Sequence, residues 1–134
     1  MDVSNGSAII TGGGSGLGEA CAKQLAALGA QCVIVDLNEE KGAAVASDVG
    51  GSFVKADVSN TEEVQVAVDA AVALAPLRVL VNAAGIGMAG RTVDRNGEPF
   101  SLEIFDMVLR INLLGTFNCL RLAAAAMSKT DPLD

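Results

Sequence analysis

Short β-type runs alternate with helical apolar spacing along most of the chain. Ser7-Ala8-Ile9-Ile10-Thr11 is a β-type run that ends in glycines. From Gly16 to Leu28 the apolar positions Leu17, Cys21, Leu25 and Leu28 recur at helical spacing, and Gly29 stops the helix. Gln31-Cys32-Val33-Ile34-Val35-Asp36 is a second strand, rich in β-branched residues and closed by a carboxylate. Asn38 caps a helix running to about Val49, broken by Gly50-Gly51. Ser52-Phe53-Val54-Lys55-Ala56 is a third strand, and Asn60 or Thr61 opens a helix that reaches Ala75 before Pro76. Arg78-Val79-Leu80-Val81-Asn82 is a fourth strand.

This alternation predicts right-handed crossovers and an α/β fold built on a parallel sheet. Buried parallel strands read as unbroken apolar runs, as Cys32 to Val35 and Val79 to Val81 do. The rhythm changes after Asn82: residues 83–101 are glycine-rich and contain the turn signal Asn96-Gly97, so an irregular or hairpin-like connection is expected. A long helix from about Leu102 to Met127 follows, with a broad apolar face that includes Ile104, Ile111, Leu114 and Phe117. The tail from Lys129 to Asp134 reads as a loop.

Composition narrows the chemistry. The 134 residues contain no histidine, tyrosine or tryptophan, so a Ser-His-Asp triad or a His-ligated metal within this stretch is excluded, and no metal site is expected. Nine basic residues against sixteen acidic ones give a net charge of −7, with no Lys/Arg cluster, which disfavours nucleic acid and anionic membranes as partners. The apolar stretch Val64 to Val81 is interrupted by Gln65, Asp69, Pro76 and Arg78 and does not span a membrane. Cys21, Cys32 and Cys119 are odd in number and far apart, so they read as reduced, buried core thiols of a cytoplasmic protein. Met1-Asp2-Val3-Ser4-Asn5-Gly6 has neither the basic nor the apolar region of a signal peptide.

Between the first strand and the first helix lies Thr11-Gly12-Gly13-Gly14-Ser15-Gly16-Leu17-Gly18. Glycines there admit positive φ and let backbone N–H groups approach a pyrophosphate at a helix N-terminus. Asp36 ends the second strand twenty residues after Gly16, where a carboxylate can accept both ribose hydroxyls of an adenosine. A G-x-G-x-x-G fingerprint from Gly12 fails at Leu17, and a P-loop from Gly13 fails at Glu19-Ala20. The spacing T-G-x-x-x-G-x-G fits.

With that spacing the chain resembles the short-chain dehydrogenase/reductases, and three further segments match in order. Asp57-Val58 resembles the family's adenine contact, Asn82-Ala83-Ala84-Gly85 its N-N-A-G segment, and Ile111-Asn112-Leu113 its helical Asn. Ala83 departs from the second Asn of that pattern. The resemblance implies a doubly wound Rossmann fold, with a cofactor site drawn from Gly12, Ser15, Gly16, Leu17, Gly18, Asp36, Leu37, Asp57, Val58 and 82–85. It also implies a catalytic role for Asn112 in bending its helix and holding a water in a proton relay. Asp36 followed by Leu37 implies NAD over NADP, because a 2′-phosphate would meet a carboxylate without an adjacent basic residue; Lys41 is a helical turn away.

The family transfers hydride between a nicotinamide and a carbonyl/alcohol pair, moving the proton with a Tyr assisted by Lys and Ser. With no tyrosine, this stretch lacks that acid/base. Either it is the cofactor-binding half of a complete dehydrogenase, expected to be a homotetramer acting on a small alcohol or ketone, or it is a stand-alone dinucleotide-binding module that needs a partner chain. Arg95-Asn96-Gly97-Glu98 and Ile111 to Asn118 resemble the type II 3-hydroxyacyl-CoA dehydrogenases within the family, implying an acyl-CoA or steroid-like alcohol as substrate. Arg91, Asp94 and Arg95 are either solvated loop charges or the edge of a substrate entrance.

Overall fold

A computed structural model describes residues 3–132; the N-terminal Met1-Asp2 and the final two residues of the expected tail lie outside the described residues. Four strands, β1 (Ser7–Thr11), β2 (Gln31–Asp36), β3 (Ser52–Lys55) and β4 (Leu77–Asn82), form one sheet in the order β3-β2-β1-β4. Every pairing is parallel, with Ile9 opposite Val33 on one side and Leu80 on the other. The helices α1 (Gly16–Ala27), α2 (Glu39–Asp48) and α3 (Thr61–Leu74) fill the crossovers.

Side chains alternate across a strand, so the sheet buries two apolar sets. Ala8, Ile10, Cys32 and Ile34 pack with Ala22 of α1 and with Val45 and Ala46 of α2. Ile9, Val33 and Val35 pack with Val64, Ala67, Val68 and Ala71 of α3 and with Cys119 and Ala123. Helices therefore cover both faces, as expected of a doubly wound sheet. β4 is an outer strand among the described residues, and its Arg78–Val81 positions are only half-buried.

Three helices carry side-chain caps at their starts. Asn38 accepts from the Lys41 N–H, Asn60 from those of Glu62 and Glu63, and Ser101 from that of Ile104. α1 differs: Ser15 is extended at its N-cap and its hydroxyl accepts from no helix N–H.

The connection after β4 is irregular, with an isolated antiparallel bridge between Val93 and Pro99 around Asn96-Gly97, which matches the hairpin-like expectation. The regular helix expected over 102–127 is instead divided into α4 (Leu102–Leu109), a π-helical segment (Arg110–Gly115) and α5 (Thr116–Met127). A π turn absorbs an extra residue and is frequent at functional sites. The apolar face is largely exposed: Leu102, Phe105, Leu113, Leu114 and Phe117 all face outward, and α4 buries no residue.

Ile34 is fully buried on β2. Ile34→Ala leaves a cavity there and should lower unfolding free energy by about 2–5 kcal/mol, read from urea midpoints with an unchanged m-value.

Candidate functional site

A cleft of about 460 Å³ lies at the carboxyl ends of the strands. Sequential strands run outward from β1 through β2 to β3, and β4 starts the other side, so the cleft sits where the strand order reverses. Its walls are the glycine turn, Val35–Leu37 after β2, Ala56–Val58 after β3, residues 83–86 after β4, and Ile111 from the π segment. The volume suits a small organic ligand or nucleotide cofactor. Gly12, Ser15, Gly16, Leu17, Gly18, Asp36, Leu37, Asp57, Val58, Ala83, Ala84 and Gly85 all line it. Asn82 and Asn112 do not: Asn82 ends β4 opposite Thr11, and Asn112 acts one residue behind the wall.

Close backbone packing builds the cradle. Gly12 has φ +63, and a Cβ there would stand 2.7 Å from the Ala84 nitrogen. A Cβ on Gly18 would run into the Gly12 carbonyl oxygen, so α1 starts hard against the end of β1. The buried Thr11 hydroxyl accepts from the Ala84 N–H at 3.2 Å and lies 3.4 Å from the Val81 carbonyl. The Ala83 N–H adds a bond to the Thr11 carbonyl at 3.2 Å. These contacts fix the segment 83–85 beside the glycine turn.

The amino end of α1 opens into this cradle with no side chain capping it. Orphan N–H groups and the helix dipole favour an anion there. Ser15 and the glycines therefore fit a dinucleotide's pyrophosphate, with no Cβ on Gly16 to obstruct it.

Across the cleft, Asp36 is held from both sides. Its Oδ2 accepts from the Gly14 N–H and its Oδ1 from the Asn38 N–H, each at 2.9 Å. Each oxygen retains acceptor capacity for a ribose hydroxyl. The strand register brings Lys55 opposite Asp36, a neighbour that Lys41 had obscured in the sequence. Lys55 is paired with Glu39 at 3.5 Å, so a second carboxylate accompanies the only basic group placed beside Asp36 by the sheet.

The turn after β3 is equally tied. Asp57 Oδ1 accepts from both the N–H and the hydroxyl of Ser59, at 2.8 Å each, which makes Asp57 a loop-forming residue as well as a cleft residue. Glu63 accepts from the Asp57 N–H at 2.7 Å and from the Asn60 side chain at 3.1 Å. Glu62 and Glu63 both lie in the first turn of α3, where negative charge complements the helix dipole. Glu63 at the third helical position after Asn60 is the capping-box spacing that signals its further reach. Thr11 enters the sequence motif only as its first letter, and neither it nor Glu63 or Ile86 is among the site residues that the sequence predicts. Ile86 is held by Asn112, whose Oδ1 accepts from its N–H at 2.9 Å and whose Nδ2 donates to its carbonyl at 2.8 Å. The π segment thus grips the strand-end loop that forms one wall of the cleft.

The short chain dehydrogenase family matches this sequence over residues 7–132. The chain belongs to that family. It is 42% identical over 129 residues to human 3-hydroxyacyl-CoA dehydrogenase type-2, covering 93% of this chain and 49% of that protein. The Drosophila melanogaster protein of the same name is 38% identical over 134 residues, covering 97% of this chain and 52% of the relative. A crystal structure of 3-hydroxyacyl-CoA dehydrogenase type-2 from Mycobacterium avium superposes with a TM-score of 0.92 at 38% identity, covering 98% of this chain and 52% of that one. This short-chain dehydrogenase sequence thus spans about half the length of the relatives it matches.

The cysteines of this family member divide. Cys32 and Cys119 are buried as expected, but Cys21 on α1 is only partly covered, because its helix face turns toward solvent at that position. Burial raises the Cys32 thiol and pushes Cys119 up to about 11. Among the described residues no three His, Cys, Asp or Glu side chains gather to hold a metal, and no helix is long and apolar enough to cross a membrane.

Folded protein at pH 8 should lose Cys21 to iodoacetamide well before Cys32 or Cys119, read by peptide mass spectrometry. Because the folded Cys119 thiol ionises above its unfolded value, the native state binds more protons between about pH 9 and 11. Its stabilising contribution is present below pH 9 and is lost as pH rises through 11, so urea midpoints should fall across that window and Cys119→Ala should flatten the fall. At the cradle, Gly18→Val should displace α1 from β1 and cost about 1–3 kcal/mol, with nucleotide affinity falling alongside the urea midpoint.

Proposed function

We propose that this sequence forms the NAD-binding half of a dehydrogenase that oxidises a secondary alcohol, with a 3-hydroxyacyl-CoA as the leading substrate. The observation that carries the cofactor reading is the uncapped amino end of α1 opening into a cleft that also contains the doubly anchored Asp36. Bound there, the dinucleotide supplies the hydride acceptor on its nicotinamide ring.

The chain's own residues bind and orient it. The N–H groups at the start of α1 take the pyrophosphate. Asp36 accepts the adenosine ribose hydroxyls and repels a 2′-phosphate, and Glu39 beside Lys55 reinforces that choice. Asp57 and Val58 border the adenine. Small residues at 83–85 let backbone approach the second ribose, with Asn82 closing the strand behind them. Asn112 holds the Ile86 peptide on the nicotinamide side; its second Nδ2 hydrogen and spare Oδ1 lone pair can order a water for proton relay. Proton transfer at the substrate falls to a tyrosine outside these residues, since they contain none.

The substrate assignment rests on the relatives named 3-hydroxyacyl-CoA dehydrogenase type-2. The exposed apolar face of α4 and α5 supports homotetramer assembly of the complete protein. The reduced thiols support a cytoplasmic location. A second reading, a non-catalytic module that awaits a partner chain, draws on the same absence of tyrosine.

Calorimetry with the 134-residue chain should show NAD binding at least about tenfold tighter than NADP, a difference of about 1.4 kcal/mol, with Asp36→Ala narrowing the gap. Binding of neither nucleotide overturns the cofactor reading. The chain alone should show no NADH formation with 3-hydroxybutyryl-CoA, whereas a longer natural protein containing it should turn over. A natural protein of this length that binds NAD without turnover selects the module reading.

A further inference from the structure

Behind the turn that follows β3 lies a polar cluster unused by the scheme above. Asn118 on α5 is 7% exposed, and its Nδ2 donates to the Val58 carbonyl at 2.9 Å. Its Oδ1 accepts from Arg121 Nη2 at 2.7 Å and from the Thr61 hydroxyl at 3.2 Å. Arg121 also donates to that hydroxyl at 3.0 Å. Two donors on Oδ1 fix the orientation of the carboxamide, because the reverse orientation would set N–H groups against them. The Nδ2 donor is thereby committed to Val58.

The helix comes close enough for this bond because of Gly115, three residues earlier on the same face. A Cβ at Gly115 would lie 2.5 Å from Val58 Cγ2. Val58 is itself 6% exposed, so its carbonyl depends on Asn118 for a partner in a place that water reaches poorly. From the opposite side Glu63 holds the Asp57 N–H, and Ser59 occupies Asp57 Oδ1. The turn is clamped from α3 and from α5, and Asp57 and Val58 are its cleft-lining residues.

We infer that Asn118, oriented by Arg121 and Thr61, is a positioning residue that sets selectivity for adenine by holding the Asp57–Val58 turn against the cleft. This rests on the NAD reading of that cleft. Asp57 Oδ2 is left to accept from a base amino group, and its placement follows from the Val58 peptide that Asn118 fixes. A base bearing a carbonyl oxygen in place of that amino group meets acceptor against acceptor and is disfavoured.

The test compares NAD with nicotinamide hypoxanthine dinucleotide, in which a carbonyl oxygen replaces the amino group and the adjacent ring N1 carries a proton, by calorimetry on the wild-type chain, Asn118→Asp and Arg121→Met. Asn118→Asp keeps the acceptor for Arg121 but loses the donor to Val58. Arg121 is exposed, so Arg121→Met leaves the core intact and decides the matter if the first variant does not fold. The wild type should prefer NAD by about tenfold. Both variants should weaken NAD by about fivefold or more while changing the analogue less than about twofold, so the preference shrinks. Equal losses for the two dinucleotides, or an unchanged preference, overturn the positioning role while leaving NAD binding in place. A wild type that binds NAD without preferring it to the analogue also overturns the positioning role. Absence of NAD binding in the wild type overturns this inference and the cofactor reading together.

Discussion

The site depends on backbone meeting backbone with no side chain between. Gly12 lies against the Ala83–Ala84 peptide, and Gly18 lies against Gly12. That contact joins the ends of β1 and β4 to the start of α1. It brings the uncapped helix terminus to the point where the strand order reverses. A single methyl group at either glycine would separate the parts. Thr11 strengthens the join by placing a buried hydroxyl between two segments of the neighbouring strand end.

The cleft walls are held by amides and carboxylates that belong to other elements. Asp36 is tied to the glycine turn and to the start of α2, so the acidic end of β2 cannot swing away. Ile86 and Val58 are each held by an asparagine of the long helical unit, through Asn112 in the π segment and Asn118 in α5. One helical unit thus braces two loops on opposite sides of the same cleft. Along α4 the same unit buries no residue, and Leu102 and Phe105 face outward.

Strand and helix assignments were legible because local signals agreed. Apolar runs marked β1 to β4, and Asn38, Asn60 and Ser101 stand as side-chain caps at the positions that patterning suggests. The cleft residues were legible through the order of short motifs, and the glycine turn with Asp36 carried most of that weight. The π segment was not legible as such, because the periodicity of Ile104 to Phe117 cannot distinguish one wider turn from a regular helix. Asn118 was missed as well. Its importance comes from a carbonyl 60 positions away, a separation at which no spacing rule operates. Cys21 shows the complementary failure, where residue type suggested burial and the rotation of α1 decided otherwise. Lys55 followed the same logic, since only the pairing of β2 with β3 reveals it beside Asp36.

The bond from the Ala84 N–H to the Thr11 hydroxyl spans 73 residues of sequence. Parallel strands joined by long crossovers pay loop-closure entropy before their contacts form, which makes such pairings slow relative to local helices. The glycine cradle contains residues from the first fifth of the chain, yet it gains its far wall only after β4 has docked. Assembly of the cleft is therefore a late event in folding, and a ribosome-bound chain that has just exposed the glycine turn carries the motif without the site.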